Sequence, residues 1–319
     1  MNLFSKLVVL AAVAMSAATA TAQTYPDKPV RVVVTTVPGP LDAFARVVLQ
    51  QIEKRLKQTF IVDNRAGAGG NLGADIVAKS PADGYTLLFA LDTTFTVNPW
   101  LYRKMPFDVT KDFTIISVPV TYSQALAVNP NVKATSVAEF VNLAKSTHMS
   151  YASGGNGSPS HLTMAAFMAA AGINMTHIPY KGTGASVIDV MGGQVDSLFA
   201  VGSGILPHAK AGKLRALAVS GLTRSAAAPE LPTIAESGYP GFNASFAYVL
   251  AAPAGTPDEI VQLLAREVAL AMNTPQVREL DRQADYAATN LTQAQSGAWL
   301  AEMRQHWGTV VQKSGITIE

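Results

Sequence analysis

The sequence predicts an α/β protein of two lobes joined by a double crossover, and three observations carry that reading. Strand-like and helix-like segments alternate along most of the chain. The last third holds two long helical stretches beside a single extended one, too little strand for a sheet of its own. Three Gly- or Ser-rich turns each fall between an expected strand and an expected helix, as in sheets whose parallel strands are linked by helices.

Taken in order, residues 30–35 are a β-branched run, 42–56 carry apolar side chains at helical spacing, 60–62 are strand-like and 71–78 again helical. Such alternation implies a parallel sheet covered on both faces. Residues 85–91 and 115–118 add strands, and a second series begins at 124–128. It continues with helix 136–145, strand 149–152, helix 160–171, strand 174–178, helix 185–191 and strands 197–200 and 215–219. Residues 229–240 are loop-like, 244–252 extended, and 258–272 and 291–311 helical. The final helices are expected to pack back on the first unit. Lobe 1 is then 23–124 plus 247–319, lobe 2 is 125–246, and the two crossings frame a hinged cleft.

Residues 1–22 stand apart. Lys6 precedes an apolar run, and Ala20-Thr21-Ala22 fits signal-peptide cleavage before Gln23. No twin Arg precedes the run and no Cys follows it, so export to the periplasm without a lipid anchor is expected. No later stretch reaches about 18 uninterrupted apolar residues. The 319 residues are 49% hydrophobic and 14% charged, and 24 Lys+Arg nearly balance 22 Asp+Glu, which argues against disorder and against nucleic acid as a partner. Absence of cysteine excludes disulfides, thiolate zinc sites and cysteine nucleophiles.

The three turns are Val37-Pro38-Gly39-Pro40-Leu41-Asp42, Arg65-Ala66-Gly67-Ala68-Gly69-Gly70-Asn71 and Ser153-Gly154-Gly155-Asn156-Gly157-Ser158-Pro159-Ser160. At the carboxyl edge of a sheet they would offer unpaired amides at positive helix ends, an anion cradle that needs no arginine. The glycines serve equally well as plain turn formers. Gly67, Gly69, Gly70 and Gly73 miss the dinucleotide spacing and no P-loop lysine follows, so no cofactor is expected. Ser158 is expected to cap a helix beginning at Pro159, leaving Ser160 and His161 at its open end. A serine hydrolase built on these residues lacks the G-x-S-x-G elbow and remains a remote rival. His148, His177, His208 and His306 are scattered, so no metal site is expected. Asp42 and Asp196 are the acids expected near the cleft, Asp42 as a helix cap or a receiver of a ligand amine, and Lys181 follows a strand where it could meet an anion. Thr94 and Phe95, just past the 85–91 strand, and Phe44 complete the candidate lining.

The ordered motifs Tyr25-Pro26-Asp27-Lys28-Pro29-Val30-Arg31, Asn64-Arg65-Ala66-Gly67-Ala68-Gly69-Gly70-Asn71, Asp83-Gly84-Tyr85-Thr86-Leu87-Leu88, Gly155-Asn156-Gly157-Ser158-Pro159-Ser160-His161-Leu162, His177-Ile178-Pro179-Tyr180-Lys181-Gly182 and Ala251-Ala252-Pro253-Ala254-Gly255-Thr256-Pro257 span the chain after its signal. In this the chain resembles the Bug-type extracytoplasmic solute receptors of tripartite tricarboxylate transporters. The resemblance implies a periplasmic binding protein of the type II-like, Venus-flytrap kind, a monomer that binds without catalysis. It implies a small carboxylate held by backbone amides, hydroxyls and waters, and large and small membrane subunits as partners. Some such receptors serve sensors instead. Two departures bear on the ligand: Leu41 replaces a small polar residue, and Ala247 stands where a Trp is frequent. Both suggest a wide apolar pocket and an aromatic dicarboxylate such as terephthalate, with Phe44, Phe95 or Phe246 against its ring. The alternatives are an aliphatic C4 to C6 diacid, an acidic amino acid or a citrate-like acid.

Overall fold

The computed structural model describes residues 25–314, and the expected signal segment 1–22 lies outside them. The chain begins with strand β1 (Val30–Val34), helix α1 (Pro40–Leu56), β2 (Phe60–Asn64), α2 (Asn71–Ala78) and β3 (Thr86–Leu91). Short helices α3 (Thr93–Thr96) and α4 (Asn98–Leu101) precede β4 (Phe113–Ser117) and β5 (Val120–Tyr122). After Ser123 alone the chain enters β6 (Gln124–Val128), followed by α5 (Val137–Ser146), β7 (Ser150–Ser153), α6 (Pro159–Ala171), β8 (Thr176–Pro179) and α7 (Thr183–Met191). Then come β9 (Ser197–Val201), α8 (Gly202–Lys210), β10 (Arg215–Val219), β11 (Phe246–Pro253), α9 (Asp258–Met272), α10 (Pro275–Ala284), β12 (Tyr286–Ala288) and α11 (Gln293–Ser314).

Two sheets result. The first runs β12-β5-β11-β3-β1-β2, with β4 also paired to β11, and the second runs β10-β6-β9-β7-β8. Each lobe is therefore an α/β layer structure, and the chain passes between the sheets at Ser123 and again between β10 and β11, as a two-lobed periplasmic binding protein fold requires. The sheets are mixed, not purely parallel. β1, β2 and β3 run parallel, as do β7, β8 and β9, but β11 opposes β3 and β6 opposes β9. The opposed strands are the ones the crossings deliver: β6 and β11 each enter a sheet from the other lobe and not through a helical crossover within that sheet, so nothing requires them to run with their neighbours.

Period-2 alternation shows in β11. Phe246, Tyr248 and Leu250 join Phe44, Val48 and Ile52 of α1 and Val261 and Leu264 of α9 in one core. Ala247, Val249 and Ala251 face the other core with Val33, Ala74, Leu88 and Leu300. In the second lobe, Phe140, Phe167 and Phe199 pack on one sheet face, and Val187, Val190 and Ile205 on the other. Full burial of each such side chain contributes about 1.5–3 kcal/mol. The terminal helix α11 does pack on the first lobe: Trp307 stacks on Phe246 with ring centroids 4.9 Å apart, and Ser296 Oγ accepts the Val118 N–H. Six elements escape the sequence reading. Helices α3 and α4 and strand β5 are only three or four residues long. Helix α8 is hidden by Gly202, Gly204 and an internal Pro207, and α10 by its largely polar sequence, while β12 is three residues long. Among the described residues no helix is long and apolar enough to cross a membrane.

Candidate ligand-binding site

A cleft of about 640 Å³ opens between the two sheets, within the range of roughly 300–1,000 Å³ usual for small-molecule sites. From the first lobe Thr36, Val37, Pro38, Gly39, Pro40 and Leu41 line it, with Leu91, Tyr122 and Tyr248 behind them. The second lobe brings Gln124, Gly154 and Ser158–Ser160, then Lys181–Ala185, and lastly Val201, Ser203, Gly204 and His208. Each lobe thus contributes helix amino ends. Gly39 precedes α1, Ser158 precedes α6, Gly182 precedes α7 and Val201 precedes α8, and all four of these capping residues border the cavity. The first amides of a helix have no intrahelical acceptor and carry its positive dipole end, so four such ends around one space favour an anion. Among the described lining residues Lys181 and His208 are the basic side chains, and no carboxylate borders the cleft.

The chain folds this way locally for identifiable reasons. Pro40 occupies the first turn of α1, where a missing N–H costs nothing, and Pro159 does the same for α6. Ser158 caps α6 as expected, its Oγ accepting the His161 N–H. Gly182 sits at φ +107, and a Cβ there would also come within 3.0 Å of Val37 Cγ2 on the opposite lobe, so the two lobes meet at this glycine.

Behind the lining, a polar network holds the second lobe's turn. Ser153 Oγ lies 2.6 Å from His177 Nε2, donates to Gly155 O and accepts the Gly155 N–H. Ser160 Oγ accepts the Gly154 N–H, and His161 Nδ1 accepts the Gly157 N–H. The His161 and His177 rings stack 4.2 Å apart and nearly parallel, with Tyr151 stacked on His177. Burial and the neighbouring His177 ring hold the His161 imidazole down at about 4, and burial also lowers His177, so both are neutral at pH 7.

Of the residues expected at the site, Val37, Pro38, Gly39, Pro40, Leu41, Ser158, Ser160 and Lys181 border the cleft. Ser153, Gly157 and His161 stand one layer back as the braces just described. The structure places the remaining candidates away from the cleft lining. Asp42 lies at 7% exposure in the first turn of α1, where it makes no cap; it accepts from Arg46 and Asn64, and these bonds outweigh burial and lower its carboxyl. Phe44, Phe95 and Phe246 are core residues at 0–1% exposure, because their helix and strand faces point into the sheet packing. Ala247 is likewise sealed, so an indole lost there would not widen the cleft. Ala68, Gly69 and Asn71 belong to a turn that folds on α4: Asn98 Nδ2 donates to Gly69 O and Asn71 Oδ1, and a Cβ on Gly69 would meet the Tyr102 hydroxyl at 2.8 Å. Thr94 is fully buried behind the same turn. Asp196 accepts from Ser150 N and Oγ at the start of β7, the opposite end of that strand from the Gly-rich turn.

The sequence reading missed Thr36, Tyr122, Gln124, Ser203, Gly204, His208 and Tyr248. Tyr122 and Gln124 flank the crossing at Ser123, and proximity to a predicted hinge was the available signal. Ser203 and Gly204 lay in the unrecognised α8. As to nucleophilic chemistry, the Ser158 and Ser160 hydroxyls bond each other and backbone, while the His161 ring bonds Gly157. Among the described residues no group of His, Asp and Glu is placed to hold a metal.

Helix amino ends from both lobes around one cleft are the arrangement a solute receptor requires. Comparison with known proteins gives the family. The model of the tripartite tricarboxylate transporter family receptor matches residues 44–316, and the chain belongs to that family. BugT of Bordetella pertussis is 34% identical over 322 residues, covering 100% of this chain and 99% of BugT. Rpa4515 of R. palustris, solved with adipate, is 30% identical with a TM-score of 0.88, covering 92% of this chain and all of that one. MatC of Rhodopseudomonas palustris, with bound malate, is 28% identical with a TM-score of 0.84, covering 90% of this chain and all of that one. Family members are receptors and not enzymes, which removes the hydrolase rival.

Proposed function

We propose that the protein captures a small dicarboxylate in the periplasm and delivers it, as a monomer, to the large and small membrane subunits of a tripartite transporter. The observation that carries this is the convergence of four helix amino ends, drawn from both lobes, on a cleft whose described lining holds no acid. Two anionic ends of a ligand can each meet main-chain amides while Leu41, Leu91, Val187 and Ile188 cover the body between them. The neighbours solved with adipate and malate favour an aliphatic diacid. A second reading, an aromatic diacid such as terephthalate, is favoured by the rings of Tyr122 and Tyr248 at the back of the cleft. Of Leu41 and Ala247, Leu41 borders the cleft and Ala247 is buried in the core.

Calorimetric titration of the purified mature chain with adipate, malate, succinate and terephthalate tests the proposal. Saturable one-to-one binding of at least one diacid is expected, and the order of affinities separates the two readings. Failure of every diacid to bind, with no rise in melting temperature, would refute it.

A further inference from the structure

The chain crosses between the lobes at Ser123, and the residues one strand aside from that crossing meet as well. On the first lobe's side Tyr122 pairs with Tyr286 of β12, and on the second lobe's side Gln124 pairs with Val201, the residue before α8. Ser203, in the first turn of α8, shares a hydrogen bond with the Tyr286 side chain. The backbones are close too: a Cβ on Gly202 would come within 3.1 Å of Asp285 Cβ and 3.2 Å of Ala284 O. The Tyr286 hydroxyl also lies 2.8 Å from that of Tyr248, and its ring packs edge-on with Phe44 and Tyr248, so the phenol is held in one orientation. Tyr248 and Ser203 both border the cleft, and Tyr286 stands behind them at 8% exposure. One buried phenol thus joins the back of the cleft in the first lobe to a helix amino end of the second.

A contact that spans two lobes exists only in some of their relative arrangements, and it favours the arrangement that has it. Here it coexists with the approach of Val37 to Gly182 across the cleft, so it belongs to the arrangement in which the lobes meet. Resting on the receptor reading above, we propose that Tyr286 is a positioning residue for ligand capture: its hydroxyl, oriented by Tyr248, latches the amino end of α8 to the first lobe beside the hinge and holds the cleft in its binding arrangement. Its effect passes through Ser203 and the α8 amides. Loss of the latch lowers the fraction of molecules in the competent arrangement, and apparent affinity falls by the same factor.

The test is a double-mutant cycle read by calorimetry at 25 °C, with whichever of adipate, malate, succinate and terephthalate binds the wild type most tightly as the probe. Tyr286→Phe keeps the ring and removes only the hydroxyl, and Ser203→Ala removes its partner. Each is expected to weaken binding about fivefold or more, and adding Tyr286→Phe to Ser203→Ala to change affinity by less than about twofold, because the two changes delete one interaction. Gly202→Ala gives an independent check, since it forces α8 away from Ala284 and Asp285 without touching either hydroxyl, and it should weaken binding by about fivefold as well. A role in stability alone would lower the melting temperature and leave these affinities unmoved. Affinity of Tyr286→Phe within about twofold of wild type, or losses that multiply in the double variant, overturns the inference and leaves the receptor reading intact. Should Tyr286→Phe fail to fold, unchanged affinity in Gly202→Ala overturns it in the same way. If none of the four acids binds the wild type, the receptor reading itself fails and this inference goes with it.

Discussion

The two turns that face each other across the cleft occupy the same topological place and are built by opposite means. In the first lobe, residues 36–41 are stiffened by Pro38 and Pro40, and Gly39 is extended at φ 173, a conformation open to any residue. No side chain caps α1, and the hydroxyls of Thr35 and Thr36 are buried without partners. In the second lobe, residues 153–161 form a Gly-rich segment fixed by hydrogen bonds of its own Ser153, Ser160 and His161 side chains and by His177 outside it. Covalent rigidity fixes the first turn without a side-chain cap, whereas a hydrogen-bonded brace uses side-chain groups to fix where the amides point. The contrast teaches that preorganisation of an anion cradle can come from either source, and that each fails in its own way.

Breaking the brace should have the largest effect. Ser153→Ala removes a fully buried hydroxyl engaged with His177 and with both polar groups of Gly155, and is expected to cost about 1–3 kcal/mol of stability and about tenfold in diacid affinity. Thermal melting and calorimetry read the two quantities. Loss of stability with affinity untouched would show that the brace does not prepare the site.

The contact between the lobes comes next. Gly182→Ala strains a residue at φ +107 and places Cβ 3.0 Å from Val37 Cγ2, so it should weaken binding several-fold and leave the liganded protein less compact in small-angle scattering. Adding Val37→Ala should recover the compaction but not the backbone strain. No change in either variant would remove Val37 and Gly182 from the closing surface.

Acid sharpens the comparison, because the first lobe's turn carries no imidazole. In the unfolded chain His161 titrates near the ordinary value of about 6.5, and in the fold it is held down at about 4. Between these values the unfolded chain binds a proton that the fold refuses, so stability contributed here is present above about 6.5 and declines as pH falls toward 4. Asp92, fully buried and pushed up to about 7, works in the opposite sense over the same window. The expectation is therefore set on a difference: from pH 7 to pH 5 the melting temperature of the wild type should fall relative to that of His161→Phe. Parallel curves would contradict the neutral-imidazole brace.

The smallest effect is expected in the stiff turn. Pro38→Ala loosens the chain without removing a hydrogen bond, and should cost under about 1 kcal/mol and about threefold or less in affinity. A loss as large as that of Ser153→Ala would mean that covalent stiffness matters as much as the brace.

What the sequence made legible follows the same division. Pro38-Gly39-Pro40 and Ser158-Pro159 announce their local conformation through fixed φ and a capping hydroxyl, and both turns border the cleft. The Gly67–Gly70 region carries an equally strong local signal yet turns toward Asn98 and Tyr102, because which face a turn presents is decided by its neighbours. Phe44 and Phe95 adjoin candidate lining residues in the sequence, whereas their helix faces send them to the core. Helix α8 was invisible because Gly202, Gly204 and Pro207 speak against a helix that packing of Ile205 and Leu206 nevertheless stabilises.

A crystal structure of the protein with bound malate or adipate would test the central claim most directly. The account predicts carboxylate oxygens within about 3 Å of main-chain N–H groups in first turns contributed by both lobes, α1 on one side and α6, α7 or α8 on the other. A diacid seated outside this cleft, or held within it by the Lys181 side chain with no backbone amide in reach, would contradict it.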